Sequence, residues 1–187
     1  MSAILDIPEV RQRLSRLSVG EYHRLDEFNE QGRRTELIRG IVMEKMSKSP
    51  LHRTVASLLY KLLLSQLPDG YSVWKEEPLS FVDSEPEPDI SVTRGRESDF
   101  AEVHPSTAEL VVEVAVSSPA LDRENASLYA EAGVEEYWII LALERRVEVY
   151  RRPANGHYQE KRMFEPDELI ECSSLPPVRI RLSEIFA

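Results

Sequence analysis

The sequence lacks the features that mark secreted, disulfide-bonded and membrane proteins. Its 187 residues include a single cysteine, Cys172, so no disulfide can form within the chain. No apolar stretch approaches the roughly 18 residues that a membrane span requires. The segment Met1–Arg13 has charges where a secretory signal would have an apolar core. We therefore expect a cytoplasmic protein that has no contact with a membrane.

Signals for several kinds of catalytic chemistry are also missing. One cysteine and four histidines cannot build a zinc site with the usual Cys/His spacing. The sequence contains no glycine-rich loop for phosphates and no Gly-x-Ser-x-Gly turn for acyl transfer. The net charge of −10 argues against a protein that coats nucleic acid non-specifically, although local basic patches can still contact phosphate.

The chain does contain the alternating helical and strand-like patterns of a mixed α/β domain. We predict a polar, mobile segment over residues 1–19 and one domain over residues 20–187. The hydrophobic periodicity and the positions of glycine and proline predict the elements. Helices are predicted at Val19–Gln31, Leu51–Leu67 and from Ser118 to Ala132. β-Segments are predicted at Glu36–Lys45 (a hairpin turning near Arg39-Gly40), Tyr71–Lys75, Pro78–Val82, Pro88–Thr93, Glu109–Val116, Tyr137–Leu143, Arg146–Arg151, His157–Phe164 and Leu169–Cys172.

Two predicted strands each contain an acidic residue, which is unexpected in a mainly apolar strand. Asp89 follows Pro88 at the start of one, and Glu113 interrupts the apolar run Leu110–Val116. An ionised Glu in a strand covered on both faces costs several kcal/mol unless a partner compensates it. Asp89 and Glu113, opposed on adjacent strands, could share one Mg²⁺ or Mn²⁺ through their oxygens. The alternative is that an Arg or Lys pairs with Glu113 and that Asp89 only shapes a turn.

The helix that follows Glu113 turns an amide toward the sheet. Leu121, Asn125, Leu128 and Tyr129 fall on one helical face. Asn125 is therefore either a core amide bonded to backbone, which is the usual fate of a buried Asn, or a donor that reaches Asp89 and Glu113.

An ordered series of short motifs resembles the Uma-two family of putative restriction endonucleases over residues 20–152. The motifs are Glu36-Leu37-Ile38-Arg39-Gly40, His52, Pro88-Asp89, Glu113-Val114, Asp122-Arg123-Glu124, Leu128-Tyr129-Ala130, Ala132-Gly133-Val134 and Glu136-Tyr137-Trp138. The resemblance implies a restriction-endonuclease-like core of the PD-(D/E)xK type, a central mixed β-sheet flanked by helices. It also implies metal-dependent hydrolysis of phosphodiester bonds, with DNA as the partner and a homodimer as the assembly.

The resemblance assigns roles to individual residues and reveals one departure. Asp89 and Glu113 match the two metal-binding acids. The lysine that the family places in the following helix falls on Asn125, and Ala115 stands at the position of the lysine in a standard E-x-K. Asparagine can orient water but has no net charge, and losing one electrostatic group typically costs about 10²–10³ in rate. We therefore predict that Asn125→Lys restores or raises cleavage.

The remaining site residues are predicted from the same family pattern. Glu36 would assist at the metal, and its alternative is a strand-edge charge near Arg39. His52, Arg123 and Tyr129 would contact the substrate. The alternative for His52, and the more common role of a lone histidine, is a hydrogen-bonded structural residue, and the alternative for Tyr129 is a core residue with its hydroxyl at the rim of the site. Lys45, Lys48 and Arg123 could replace the missing lysine by position, although solvated charge at the edge of a hairpin is the favoured interpretation of Lys45 and Lys48.

These observations leave three functions open. The first is a Mg²⁺- or Mn²⁺-dependent endonuclease in which Asp89, Glu113, Asn125 and Glu36 form the catalytic site. The second is a catalytically impaired nuclease fold that acts as a binding or regulatory module. The third is a plain interaction domain in which an arginine neutralises Glu113.

Overall fold

A computed structural model describes residues 7–26, 29 and 32–186. The chain forms two compact units. The hairpin unit contains residues 1–45 and 82–86, and the sheet unit contains residues 46–81 and 87–187. The six N-terminal residues of the predicted polar segment lie outside the described residues. No helix within the described ranges is long and apolar enough to span a bilayer.

The hairpin unit contains helices α1 (Pro8–Arg11) and α2 (Val19–Asp26) and strands β1 (Thr35–Ile38) and β2 (Ile41–Glu44). The described part of α2 ends at Asp26, and residues 27, 28, 30 and 31 of the predicted helix lie outside the described residues. β1 and β2 pair antiparallel and confirm the predicted hairpin.

The turn of this hairpin depends on two consecutive left-handed residues. Arg39 has φ 50° and Gly40 has φ 76°, the combination of a two-residue type I′ turn that matches the twist of the strands. A Cβ at Gly40 would lie 2.6 Å from Cβ of Arg16. Glycine is therefore required at position 40 by both the backbone conformation and the packing.

The sheet unit is built around a six-stranded mixed sheet. The elements in chain order are α3 (Pro50–Gln66), β3 (Tyr71–Trp74), β4 (Ile90–Arg94), a 3₁₀ turn (Glu97–Phe100), β5 (Leu110–Ala115), α4 (Ala120–Glu131), β6 (Glu136–Leu141), β7 (Arg146–Ala154), β8 (His157–Phe164), β9 (Leu169–Glu171), β10 (Arg179–Arg181) and α5 (Leu182–Ile185). The sheet order is β3-β4-β5-β6-β7-β8. β5 and β6 are parallel and are connected through α4, whereas the other neighbours are antiparallel.

Helices cover both faces of this sheet. Val55, Leu59 and Leu63 of α3 pack with the residues of β5 that point to the same side, Leu110, Val112 and Val114. Tyr129 of α4 packs on the opposite face with Val111 and Ala115. The central strand β5 is thus buried on both sides, as its continuous apolar run predicts, and Glu113 projects toward the α4 face.

Three differences from the predicted elements have physical reasons. The segment 78–82 joins no strand ladder in the described part of the chain, because Pro78 has no N–H to donate and the segment is fixed by a bond from the Ser80 N–H to the Pro105 carbonyl (2.9 Å). β7 runs past the predicted end to the type I′ turn Asn155-Gly156, with φ 52° and 75°. β10 and α5 are too short to leave a periodic pattern.

Candidate active site

The pairing of β4 with β5 brings the two acidic residues face to face. Ile90 pairs with Val112 in the antiparallel ladder, so the next position sets Asp89 opposite Glu113. The Asp89 N–H donates to Glu113 Oε2 at 3.2 Å, and the Val114 N–H donates to Asp89 Oδ2 at 2.8 Å. The backbone of each strand therefore holds the carboxylate of the other.

The N-terminus of α3 supplies two further donors to Asp89. Ser49 caps the helix by accepting a bond from the His52 N–H at 3.2 Å. His52 then lies in the first turn, with Nε2 2.9 Å from Asp89 Oδ2. Lys48, which precedes the cap, reaches Asp89 Oδ1 with its Nζ at 2.6 Å.

These donors keep Asp89 ionised although the residue is only 6% exposed. Burial acts to raise the pKa of Asp89, but the hydrogen bond from His52 and the charge of Lys48 outweigh it and hold the pKa at about 2. Asp89 is consequently a carboxylate at neutral pH and can act as a ligand or an electrostatic group.

The hydrogen bonds also indicate the tautomer of His52. An ionised Asp89 has no proton to give, so His52 Nε2 must donate. Nδ1 is buried and has no hydrogen-bond partner among the described residues. A proton on Nδ1 would leave a buried donor unsatisfied at a cost of about 1–3 kcal/mol. His52 therefore orients the Asp89 carboxylate through Nε2–H.

Lys48 is shared between Asp89 and a third carboxylate. Its Nζ lies 3.1 Å from Glu76 Oε1, and its side chain is 21% exposed. Burial acts to lower the pKa of Lys48, yet the negative charges of Asp89 and Glu76 raise it above its ordinary value. Glu76 has φ 58°, a left-handed conformation that costs a residue with a side chain about 1–3 kcal/mol and that recurs at functional sites.

The α4 side of the site supports Glu113. The Tyr129 hydroxyl donates to Glu113 Oε1 at 2.9 Å. The Tyr129 ring is fully buried and packs against Tyr137 at a centroid distance of 4.8 Å. Asn125 lies one turn earlier on the same face of α4 and is 7% exposed. Within the described residues, no hydrogen bond joins the Asn125 amide to the two carboxylates.

Two further predicted site residues form ion pairs with neighbouring side chains. Arg123 of α4 forms a close ion pair with the buried Glu148 of β7, with its Nε 3.0 Å from Oε1. Glu36 lies in the hairpin unit, where its carboxylate is 3.5 Å from Lys45 Nζ. The assisting role of Glu36 and the substrate contact of Arg123 stay predictions.

Comparison with protein families identifies the relatives of this chain. The model of the Uma2 family, described as putative restriction endonucleases, matches residues 19–183. The chain belongs to the Uma2 family.

One solved structure has a similar fold. A crystal structure of a putative nuclease belonging to DUF820 from Anabaena variabilis ATCC 29413 is 23% identical, has a TM-score of 0.77, and aligns over 91% of this chain and 97% of its own. This likeness confirms the predicted class, a mixed sheet flanked by helices. The type IIG restriction endonuclease BpuSI also aligns, at 20% identity and a TM-score of 0.41, over 72% of this chain and 15% of its own. A comparison with curated protein sequences finds no significant match.

The donor set fits a hard divalent cation through carboxylate oxygens. Asp89 and Glu113 offer the ligands that Mg²⁺ and Mn²⁺ prefer. Among the described residues, no group of three or more His, Cys, Asp or Glu side chains forms a ready metal cage. Asp89 and Glu113 are the residues of this site that would hold such an ion.

Two members of this cluster are not identified by the sequence. The sequence offers Lys48 only as a possible replacement for the lysine and favours a solvated charge there, and it does not single out Glu76, but the structure buries most of both side chains. A signal for Lys48 was present, because it directly precedes the cap residue Ser49 of the helix that contains His52. Glu76 has no such signal. Left-handed positions are usually predicted from a glycine or an asparagine, and position 76 has neither.

Proposed function

We propose that this protein is a metal-dependent endonuclease that hydrolyses phosphodiester bonds in DNA. Membership of the Uma2 family and the fold indicate a restriction-endonuclease-like nuclease, whose substrate is a nucleic acid. The single observation that supports the finer proposal is the contact between the Asp89 N–H and Glu113 Oε2, because it sets two acidic residues side by side at the end of one strand pair.

Each residue of the cluster has a role in this proposal. Asp89 and Glu113 would hold Mg²⁺ or Mn²⁺, which polarises a phosphoryl oxygen and lowers the pKa of bound water. His52 and the Val114 N–H orient the Asp89 carboxylate. The Tyr129 hydroxyl orients Glu113. Hydrogen bonds of this kind keep the two carboxylates in a fixed orientation during the reaction.

A second candidate function follows from Asn125. The α4 position at which the family pattern has a lysine offers an uncharged amide in this chain. A protein that keeps the carboxylate pair but cannot stabilise the charge on the phosphoryl group would bind nucleic acid without cutting it, and would act as a binding or regulatory module.

A nicking assay separates these candidates. Supercoiled DNA is incubated with the wild-type protein and with Asp89→Asn or Glu113→Gln, in Mg²⁺ or Mn²⁺. We expect the wild-type protein to nick and each variant to lose about 10²-fold or more, since each removes a charge from the metal site. Asp69→Asn, in an exposed turn, serves as the matched control.

The metal part of the proposal is measured without catalysis. Mn²⁺ should raise the melting temperature of the wild-type protein and of Asp69→Asn, but not that of Asp89→Asn. A wild-type protein that binds Mn²⁺ and DNA but does not nick supports the binding module. A protein that shows neither metal stabilisation nor nicking refutes both candidates.

We further propose an isologous homodimer, because two copies of one active site can cut both strands of a duplex. Light scattering on the eluting protein should give about twice the mass of one chain. A strictly monomeric protein that makes only single-strand nicks would contradict this part of the proposal.

A further inference from the structure

We propose that Lys48 is the cationic catalytic residue of this site and stabilises the negative charge on the phosphoryl group, which the uncharged Asn125 cannot do. This inference rests on the proposed nuclease function. The catalytic positive charge would then come from the loop before α3, and not from α4, where Asn125 has an uncharged amide.

Lys48 meets the geometric requirement for this role. Its Nζ lies 2.6 Å from Asp89 Oδ1 and 3.1 Å from Glu76 Oε1. The ammonium therefore touches one of the two carboxylates that would hold the metal. An ammonium has three N–H donors, and the two carboxylates take two of them. The third can point to a phosphoryl oxygen bound at the same carboxylate.

Another basic residue, Arg123, is held by a different carboxylate. It is paired with Glu148, whose side chain is 2% exposed. Of these two cations, Lys48 is the one that contacts the Asp89 carboxylate in the described part of the chain.

The surroundings of Lys48 fix its position more firmly than those of an ordinary surface lysine. The cap formed by Ser49 sets the path of the chain one residue later. Glu76 adopts a left-handed backbone, and its N–H donates to the Asp89 carbonyl at 3.3 Å, so the second carboxylate that holds the ammonium is itself tied to Asp89. A solvated lysine at the edge of a hairpin would need none of these contacts.

Lys48 acts in this proposal by electrostatics alone. In hydrolysis, a water oxygen bonds to phosphorus and the bond between phosphorus and the leaving sugar oxygen breaks. The attacking water loses a proton to solvent, and the leaving oxygen takes one up. Lys48 keeps its three protons throughout and stabilises the negative charge on the non-bridging phosphoryl oxygens. A lysine at position 125 would provide the same electrostatic stabilisation.

A double-substitution experiment tests this assignment in the full-length protein. The variants are Lys48→Met, Lys48→Arg, Asn125→Lys and the combination of Lys48→Met with Asn125→Lys. Lys61→Met is the control, because Lys61 is an exposed lysine of α3. Nicking with Mn²⁺ should fall about 10²–10³-fold in Lys48→Met and remain at the wild-type level in Lys61→Met. Asn125→Lys should raise nicking at least tenfold in the Lys48→Met background, and less in the wild-type background.

Two readouts do not depend on cleavage. Calorimetric titration should show that Lys48→Met still binds Mn²⁺, at least as tightly as the wild-type protein does. The slope of log Kd for a labelled duplex against log salt, measured by fluorescence anisotropy without added metal, should become shallower by about 0.9 in Lys48→Met, because one phosphate contact is lost. A lysine that only stabilises the fold would leave this slope unchanged, and Lys48→Arg should retain it.

The outcomes decide between this inference and the function on which it rests. If the wild-type protein nicks and Lys48→Met nicks equally fast, or Lys48→Met loses Mn²⁺ binding, the assignment of Lys48 is wrong while the nuclease proposal stands. If neither the wild-type protein nor Asn125→Lys nicks in spite of Mn²⁺ binding, the nuclease proposal is wrong and the assignment falls with it.

Discussion

Replacing Asp89 by Asn tests whether the donors around this carboxylate hold it ionised, and it does so through stability rather than activity. The pKa of Asp89 is about 2, against about 3.9 for an unfolded Asp. Each unit of difference corresponds to about 1.36 kcal/mol. The ionised form of Asp89 therefore contributes between about 2 and 3 kcal/mol to the free energy of unfolding, and little discount for solvent applies because the side chain is only 8% exposed.

The sign of the pH dependence follows from the direction of the shift. The pKa of Asp89 is lower in the folded protein than in the unfolded chain, so the contribution is fully present above about pH 4 and is lost as the pH falls from about 4 toward 2. Asn at this position cannot ionise. The stability difference between the wild-type protein and Asp89→Asn should accordingly be largest at neutral pH and shrink in acid.

Urea unfolding at pH 7, 5, 4 and 3 measures this difference. Titration of the other carboxylates occurs in both proteins and cancels, and any loss from the altered hydrogen bonds of Asn adds a term that does not vary with pH. At pH 7 we expect a loss of at least about 2 kcal/mol, or a fall in melting temperature of roughly 4–8 °C for a protein of this size. Asp69→Asn should change neither quantity. A wild-type minus Asp89→Asn difference that is the same at pH 7 and pH 3 would refute the reasoning.

Two further predictions concern the support of Glu113 and the core beneath the site. Tyr129→Phe removes one donor to a carboxylate and keeps the ring, so it should cost about 1.5–3 kcal/mol, whereas Tyr158→Phe, whose hydroxyl donates to the Val134 carbonyl at 2.8 Å, should cost only about 1 kcal/mol in the same chemical denaturation assay. Leu59→Ala should cost about 2–5 kcal/mol because it empties a fully buried position on α3, and Leu64→Ala, 56% exposed on the same helix, should stay within about 0.5 kcal/mol.

The parts of the fold that the sequence predicts are those fixed by local chemistry. The Arg39-Gly40 turn needs two left-handed residues, and the hairpin forms there. Ser49 and Pro50 mark the start of α3, which the structure confirms with a side-chain cap. Glu113 in an apolar strand predicts a compensating partner, because burial makes an isolated charge expensive, and the Asp89 N–H and the Tyr129 hydroxyl donate to its carboxylate.

The parts that the sequence does not predict depend on long-range placement. Lys48 has a flexible side chain with four methylenes, and its position in the sequence does not determine whether the ammonium faces solvent or a carboxylate 41 residues away. The segment 78–82 has the composition of a strand, but pairing requires a neighbouring strand with free backbone groups, and the Ser80 N–H donates to the Pro105 carbonyl instead. Leu121 fits the predicted inward stripe of α4, yet it is 41% exposed because it lies in the first turn, beyond the edge of the core.

Three donors fix the Asp89 carboxylate beside the Lys48 ammonium. Each carboxylate oxygen has two lone-pair directions. Oδ2 already accepts from His52 and from the Val114 N–H, whereas Oδ1 accepts from Lys48. A divalent cation held by Asp89 would lie near the Lys48 ammonium. The two positive charges would repel each other and weaken cation binding, but together they would stabilise a phosphoryl group as it becomes more negative. A substitution that relieves the repulsion, such as Lys48→Met, should thus gain metal affinity and lose rate, because the same charge opposes the first and supports the second.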